Sequence, residues 1–192
     1  MEEIWVRIET WLRNNAPQVL ELIQPGVSEA QMSELEEFLS VKFPDDIKSL
    51  YRICNGQSSY DYGILDGREF LSIERIKDEW SVWKELLDDG TFQDDDSQDQ
   101  GSNPEPGIRN VWWSPQWIPL TYDGAGNHDC LDLNPTESGM DGQIITMWHD
   151  DDERKIVAPG IRAWLQQYAD GLESGEFIFS EEYNGIVNTN DI

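Results

Sequence analysis

The sequence predicts an α+β fold, and three observations carry that prediction. Apolar residues recur at helical spacing through most of the first 87 residues. Period-two segments punctuated by Gly, Pro and Asn occupy 111–158. A helical stripe then returns after Pro159-Gly160 and closes the pattern. The expected architecture is a single domain over 1–180. Its central, mostly antiparallel sheet comes from about 111–158 plus a hairpin near 62–71, with N-terminal helices and a closing C-terminal helix.

Residues 2–14 place Ile4, Trp5, Ile8, Trp11 and Leu12 on one helical face. Asn14-Asn15 ends that helix, and Pro17 suits the first turn of a short second one. Ser28 with Gln31 reads as a capping box ahead of Met32, Leu35, Phe38 and Leu39. Pro44-Asp45-Asp46 starts another helix, carrying Ile47, Leu50, Tyr51 and Cys54 to a stop at Asn55-Gly56. Asp66-Gly67 is a two-residue hairpin signal. Ser72 caps a helix over 73–87 with Ile76, Trp80, Trp83 and Leu87 on one face.

Residues 88–107 break the pattern. They hold seven acids, no Lys or Arg, and almost no apolar residue except Phe92. Such a segment buries too little to fold by itself and reads as a solvated loop insertion within one domain. Strands are expected at Trp117–Tyr122, with Pro119 marking an edge or a bulge, at His128–Leu133, at Gln143–His149 and at Lys155–Ala158. The final helix buries Ile161, Trp164, Leu165, Tyr168 and Leu172, and the polar tail 184–192 is expected to fray.

Composition bounds the function. The 192 residues carry 13 basic and 39 acidic side chains, a formal charge of −26. Over a folded surface of about 9,400 Å² that is one net negative charge per roughly 360 Å². Such a field repels nucleic acid and anionic membranes and favours basic proteins. Aromatic loading of 11%, including nine Trp, argues against wholesale disorder. No apolar run reaches the length of a membrane span, and the acidic Met1-Glu2-Glu3 start does not resemble a signal peptide. Two cysteines, Cys54 and Cys130, cannot make a disulfide framework, so a cytoplasmic location is expected.

The segment from Trp112 to Ile145 resembles the signature of the Smi/Knr family, the core of the SUKH superfamily. The matching residues are Trp117-Ile118-Pro119, the turn Asp123–Asn127, Cys130-Leu131-Asp132-Leu133-Asn134-Pro135 and Gly142-Gln143. Phe43-Pro44-Asp45-Asp46, Asn55-Gly56, Phe70-Leu71-Ser72 and Trp164-Leu165 extend the resemblance. It implies an α+β domain without enzyme activity. The resemblance links fungal relatives to regulating cell-wall glucan assembly as interaction hubs, and many bacterial relatives resemble immunity proteins that bind and neutralise a toxin domain, often a nuclease. The chain carries no long disordered arms of the fungal kind, which points towards the bacterial type.

Candidate sites follow from the residues. Gly124-Ala125-Gly126 is no dinucleotide fingerprint, because Asp129 stands where the third Gly belongs and a strand follows. His128 and Cys130 share one strand face, which does not aim one at the other as a nucleophile pair requires. Asp123, His128, Asp129, His149 and Asp150 could assemble a metal site, although the helical or EF-hand spacing that would support one is missing. The expected reading of Asp123, Gly124, Gly126, Asn127 and Asp129 is a structural turn, with no metal, no cofactor and no catalytic residue. Partner contact falls to Asp94, Asp95, Asp96 and Asp99 of the acidic insertion and to His149, Asp150, Asp151, Asp152 and Glu153. Trp112 or Trp113 would be an anchor, because neighbours on a strand face opposite ways. The expected function is a non-enzymatic immunity protein whose acids steer it onto a basic toxin domain. A regulatory hub of the cell-wall type is the alternative, and a metal or catalytic site at the Asp123–Asp129 turn is a second one.

Overall fold

The computed structural model describes residues 1–93 and 100–192. Helix α1 (Glu2–Asn15) buries Ile4, Trp5, Ile8 and Leu12, and α2 (Pro17–Leu20) follows with Pro17 in its first turn. Strand β1 (Ile23–Pro25) leads to α3 (Glu29–Leu39), where Ser28 and Gln31 form the expected capping box. Helix α4 (Asp45–Tyr51) starts behind Pro44.

The chain then departs from the sequence expectation. Asn55-Gly56 does not stop a helix. It lies inside β2 (Cys54–Gln57), which pairs antiparallel with β1. Buried side chains explain the difference. Gln57 Oε1 accepts from the Phe70 and Ile64 N–H groups, while its Nε2 donates to the Tyr62 and Ser59 carbonyls. Asn55 Oδ1 accepts the Ile73 N–H at the start of the next helix. Gly56 has φ of 61°, and a Cβ there would lie 2.5 Å from the Leu71 backbone.

The expected hairpin near 62–71 reduces to one bridge, Leu65 to Arg68, across Asp66 and Gly67, both at positive φ. Strand β3 (Glu69–Phe70) pairs elsewhere, and α5 (Ile73–Asp88) begins behind Ser72, whose hydroxyl accepts the Arg75 N–H. Short strand β4 (Asn103–Pro104) ends the acidic stretch. Val111 to Trp113 is an irregular segment, not a strand.

Strand β5 (Trp117–Pro119) lies at the edge of a four-stranded antiparallel sheet with β7 (His128–Asp132), β8 (Gln143–Met147) and β10 (Ile156–Ala158), in the order β10-β8-β7-β5. The expected continuous strand 117–122 breaks at Leu120. Its second half, β6 (Thr121–Tyr122), turns to pair with β3. Strand β9 (Glu153–Arg154) runs parallel to β4. All five residues of β7 are buried, because α5 covers one sheet face and α6 (Ile161–Ser174) the other. The segment after Asn184 does not fray. Strand β12 (Gly185–Asn188) pairs in register with β11 (Phe177–Ser180), and its Ile186 is buried, with Gly185 bridged to Gly63.

Candidate functional site

The turn between β6 and β7 is built by Asp123. Its Oδ1 accepts the Ala125 N–H at 2.8 Å and the Asn127 N–H at 3.0 Å, while Oδ2 accepts Asn127 Nδ2 at 2.6 Å. Gly124 and Gly126 take φ of 86° and 109°. Asn127 Oδ1 in turn accepts the His149 N–H at 2.9 Å, tying this turn to the loop after β8.

Asp129 does not belong to that turn network. Strand alternation sends its side chain to the sheet face opposite His128. There it pairs with Arg68 at 3.2 Å and accepts the Thr121 hydroxyl at 3.1 Å. Burial pushes its pKa up against the pull of Arg68 and Thr121. Residues 123, 128, 129, 149 and 150 are therefore dispersed over two sheet faces and two loops. Among the described residues, no three His, Cys, Asp or Glu side chains cluster so as to hold a metal ion.

His128 is fully committed inside the protein. Its Nδ1 donates to the Thr121 carbonyl at 2.7 Å, and its Nε2 accepts the Trp83 indole N–H at 3.1 Å. The two contacts fix one neutral tautomer and leave no ring nitrogen to act as a base. Burial lowers its pKa to about 4, against the smaller raising effect of the Thr121 carbonyl. Burial also pushes the Cys130 thiol far up, so no thiolate forms there near neutral pH. The expected outcome is an imidazole that stays neutral down to about pH 5. Because its folded pKa lies below the unfolded value, its contribution is complete above about pH 6.5 and lost as pH falls through 4, by roughly 3 kcal/mol. Histidine NMR titration checks this, and a midpoint above 6 for His128 would contradict it.

The tryptophan pair divides differently from the strand argument. Trp113 is buried between Trp80 and Trp83, with ring centroids 6.2 and 6.3 Å away. Trp112 is half-buried beneath the Arg154 guanidinium, which sits 5.3 Å from its ring centre. One of the two is indeed less buried, but Trp112 is held by Arg154 and not by strand geometry.

Arg154 organises the acidic face. It is wholly buried in a chain of charge −26. Its Nη1 donates to the Asp151 and Glu153 carbonyls and its Nη2 to the Trp112 carbonyl. Burial lowers its pKa, while Asp151 and Asp152 pull it back up. The result is a fixed acidic ridge. His149, Asp150, Asp152 and Glu153 are exposed, Asp151 is half-buried and caps the Glu153 N–H, and Glu153 pairs with Lys155 at 2.7 Å. The β4–β9 pairing brings the end of the acidic insertion onto this ridge, and Glu105 Oε2 accepts the Ile156 N–H. The sequence reading gave both acidic runs one steering role, but it did not place the end of the insertion against the second run. Asp94, Asp95, Asp96 and Asp99 lie outside the described residues.

A cavity of about 420 Å³ lies on the other side of the sheet, where α6, β10, β11 and the Asp66–Arg68 turn meet. Leu65, Val157, Trp164, Tyr168 and Phe177 give it apolar walls, and Asp129 lies in its lining beside Arg68. Sequence reading missed it because its lining comes from five separate stretches of chain.

Fold and surface together define a mixed α+β domain whose buried acids and histidine serve internal structure, while an acidic ridge faces solvent. The pattern of the SMI1 / KNR4 family (SUKH-1) matches residues 26–167, and the chain belongs to that family. Similar proteins include the cell wall biosynthesis/cell cycle regulator smi1 of Schizosaccharomyces pombe, 29% identical over 97% of this chain and 39% of the relative. The glucan synthesis regulatory protein of Neurospora crassa is 28% identical over 95% of this chain and 40% of its own length. The cell wall assembly regulator SMI1 of Saccharomyces cerevisiae is 24% identical over 93% and 41%. This chain thus spans about two fifths of the length of these relatives. No helix among the described residues is long and apolar enough to cross a membrane.

Proposed function

We propose that this domain acts by binding a protein, in a regulatory role of the cell-wall regulator type, and performs no catalysis itself. The observation that carries the reading is the near-complete coverage of this chain by relatives named as regulators. The buried Arg154 that holds an acidic ridge in one shape supports a basic partner surface, since preorganised charge favours encounter and orientation. The expectation of toxin neutralisation uses the same surface chemistry with a narrower partner. It rested on charge and on family resemblance, and the names of the relatives favour the regulatory reading.

Affinity capture from the source cell tests this. A partner should be retained at low salt, released at high salt, and lost when Asp150, Asp152 and Glu153 are changed together to Asn, Asn and Gln. Capture that ignores both salt and the triple substitution would contradict the ridge as the binding surface. A toxin domain as the retained protein would replace the regulatory reading with the immunity one.

A further inference from the structure

We propose that the cavity between α6, β10, β11 and the Asp66–Arg68 turn receives a basic side chain, lysine or arginine, projecting from the protein partner. This goes beyond the acidic ridge by placing a second partner contact on another face, and it rests on the protein-binding reading above. The size fits: about 420 Å³ lies within the range of ligand pockets and exceeds a single long side chain with its flanking backbone.

The chemistry of the lining selects the charge. Three carboxylates, Asp66, Asp129 and Glu176, line it against one cation, Arg68. Arg68 is already engaged, 3.2 Å from Asp129 and 3.9 Å from Asp66. The Asp66 carboxylate also accepts the Asn188 N–H, so the turn that carries it is fixed against β12. Glu176 stands exposed at the rim, with Oε1 held by Asn188 Nδ2 at 3.2 Å. The lining therefore keeps a net negative charge inside a strongly negative molecule, which disfavours an anion and favours a cation.

The walls suit the rest of such a side chain. Trp164 is half-buried, Tyr168 and Phe177 meet edge to face at 5.1 Å, and Val157 is 36% exposed at the opening. Aromatic faces attract a guanidinium or ammonium, and apolar walls take the methylene stem. The site is also rigid. It is framed by a long helix and a paired hairpin, and the Tyr168 hydroxyl donates to the Ile64 carbonyl.

The test titrates the intact, isotope-labelled chain with four capped amino acids: N-acetyl-arginine amide and its lysine, neutral norleucine and glutamate counterparts. The expected result is saturable NMR shifts at Trp164, Val157 and Gln167 with the arginine and lysine probes only. Glu176→Gln, a rim substitution, should weaken that binding severalfold while leaving the rest of the spectrum unchanged. Equal shifts with norleucine would make the cavity a general apolar site, shifts with glutamate would make Arg68 the recognising group, and an absence of shifts with every probe would leave it a packing void. Each of these three outcomes overturns the proposal. The probe titration needs no partner, so its failure is distinct from failure of the capture experiment.

Discussion

Arg154→Ala should cost about 3–5 kcal/mol of stability, read as a lower urea midpoint at neutral pH. The substitution leaves the Asp151, Glu153 and Trp112 carbonyls without their donor, two of the three bonds being 2.8 and 3.0 Å long. Each of these acceptors costs up to about 1–3 kcal/mol where water does not replace the lost donor, and a void of guanidinium size adds to that. Arg154→Lys should recover little, since a single ammonium cannot span carbonyls that the planar fork reaches from two nitrogens. Arg154→Met refills the volume without donors and separates packing from hydrogen bonding. Trp112→Leu removes only the ring beneath the guanidinium, and its cost should stay near 1 kcal/mol. A loss below about 1 kcal/mol for Arg154→Ala would mean that the ridge is held by the β4–β9 pairing instead.

Glu36 gives the second large effect, with a pH signature. This carboxylate on α3 is 4% exposed. It accepts from Lys48 Nζ at 2.8 Å, Lys42 Nζ at 3.0 Å and the Phe43 N–H at 2.8 Å. Burial alone would raise its pKa, but Lys48, the Phe43 N–H and Lys42 outweigh it and hold it at about 2. The folded pKa lies below the unfolded one. Its contribution is therefore complete above about pH 4.5 and is lost as pH falls through 2, with roughly 3 kcal/mol at stake. Glu36→Gln should be destabilised by about that amount at pH 7, because two lysines and one N–H face a neutral amide. The gap between wild type and variant should shrink by roughly half by pH 3. Comparing the two chains cancels the change in overall self-repulsion as other acids protonate. A gap that stays constant from pH 7 to pH 3 would show that Glu36 is not ionised against its lysines.

The elements legible in the sequence were those with local causes. The capping box at Ser28, the caps at Pro44 and Ser72 and the helical stripes of α1, α5 and α6 depend on neighbours within one or two turns. The strands around β7 and β8 were legible because period-two runs ended at Gly and Asn-Pro breaks. Asn55 and Gln57 were not, since their amides bond partners 2 to 19 residues away, and nothing local distinguishes that from a helix stop. The frayed-tail expectation failed for a similar reason. Gly185 to Asn188 is polar at its edges, but its order comes from β11 and from Gly63, more than a hundred residues earlier.

The sequence by itself determined the α+β class, the family, the helix starts and the strongly acidic character, because these follow from periodicity, caps, motif order and charge count. Tertiary structure alone decided the roles of the charged and polar residues. Whether a carboxylate steers, caps or lines a cavity depends on which face of which strand it occupies and on what the opposite layer supplies. Asp129 and His128 are adjacent in sequence, yet the strand pleat sends one to Arg68 and the other to Trp83. Arg154 was one basic residue at the end of an acidic run, and only the meeting of β9 with the segment at Trp112 made it the buried clamp of the acidic face.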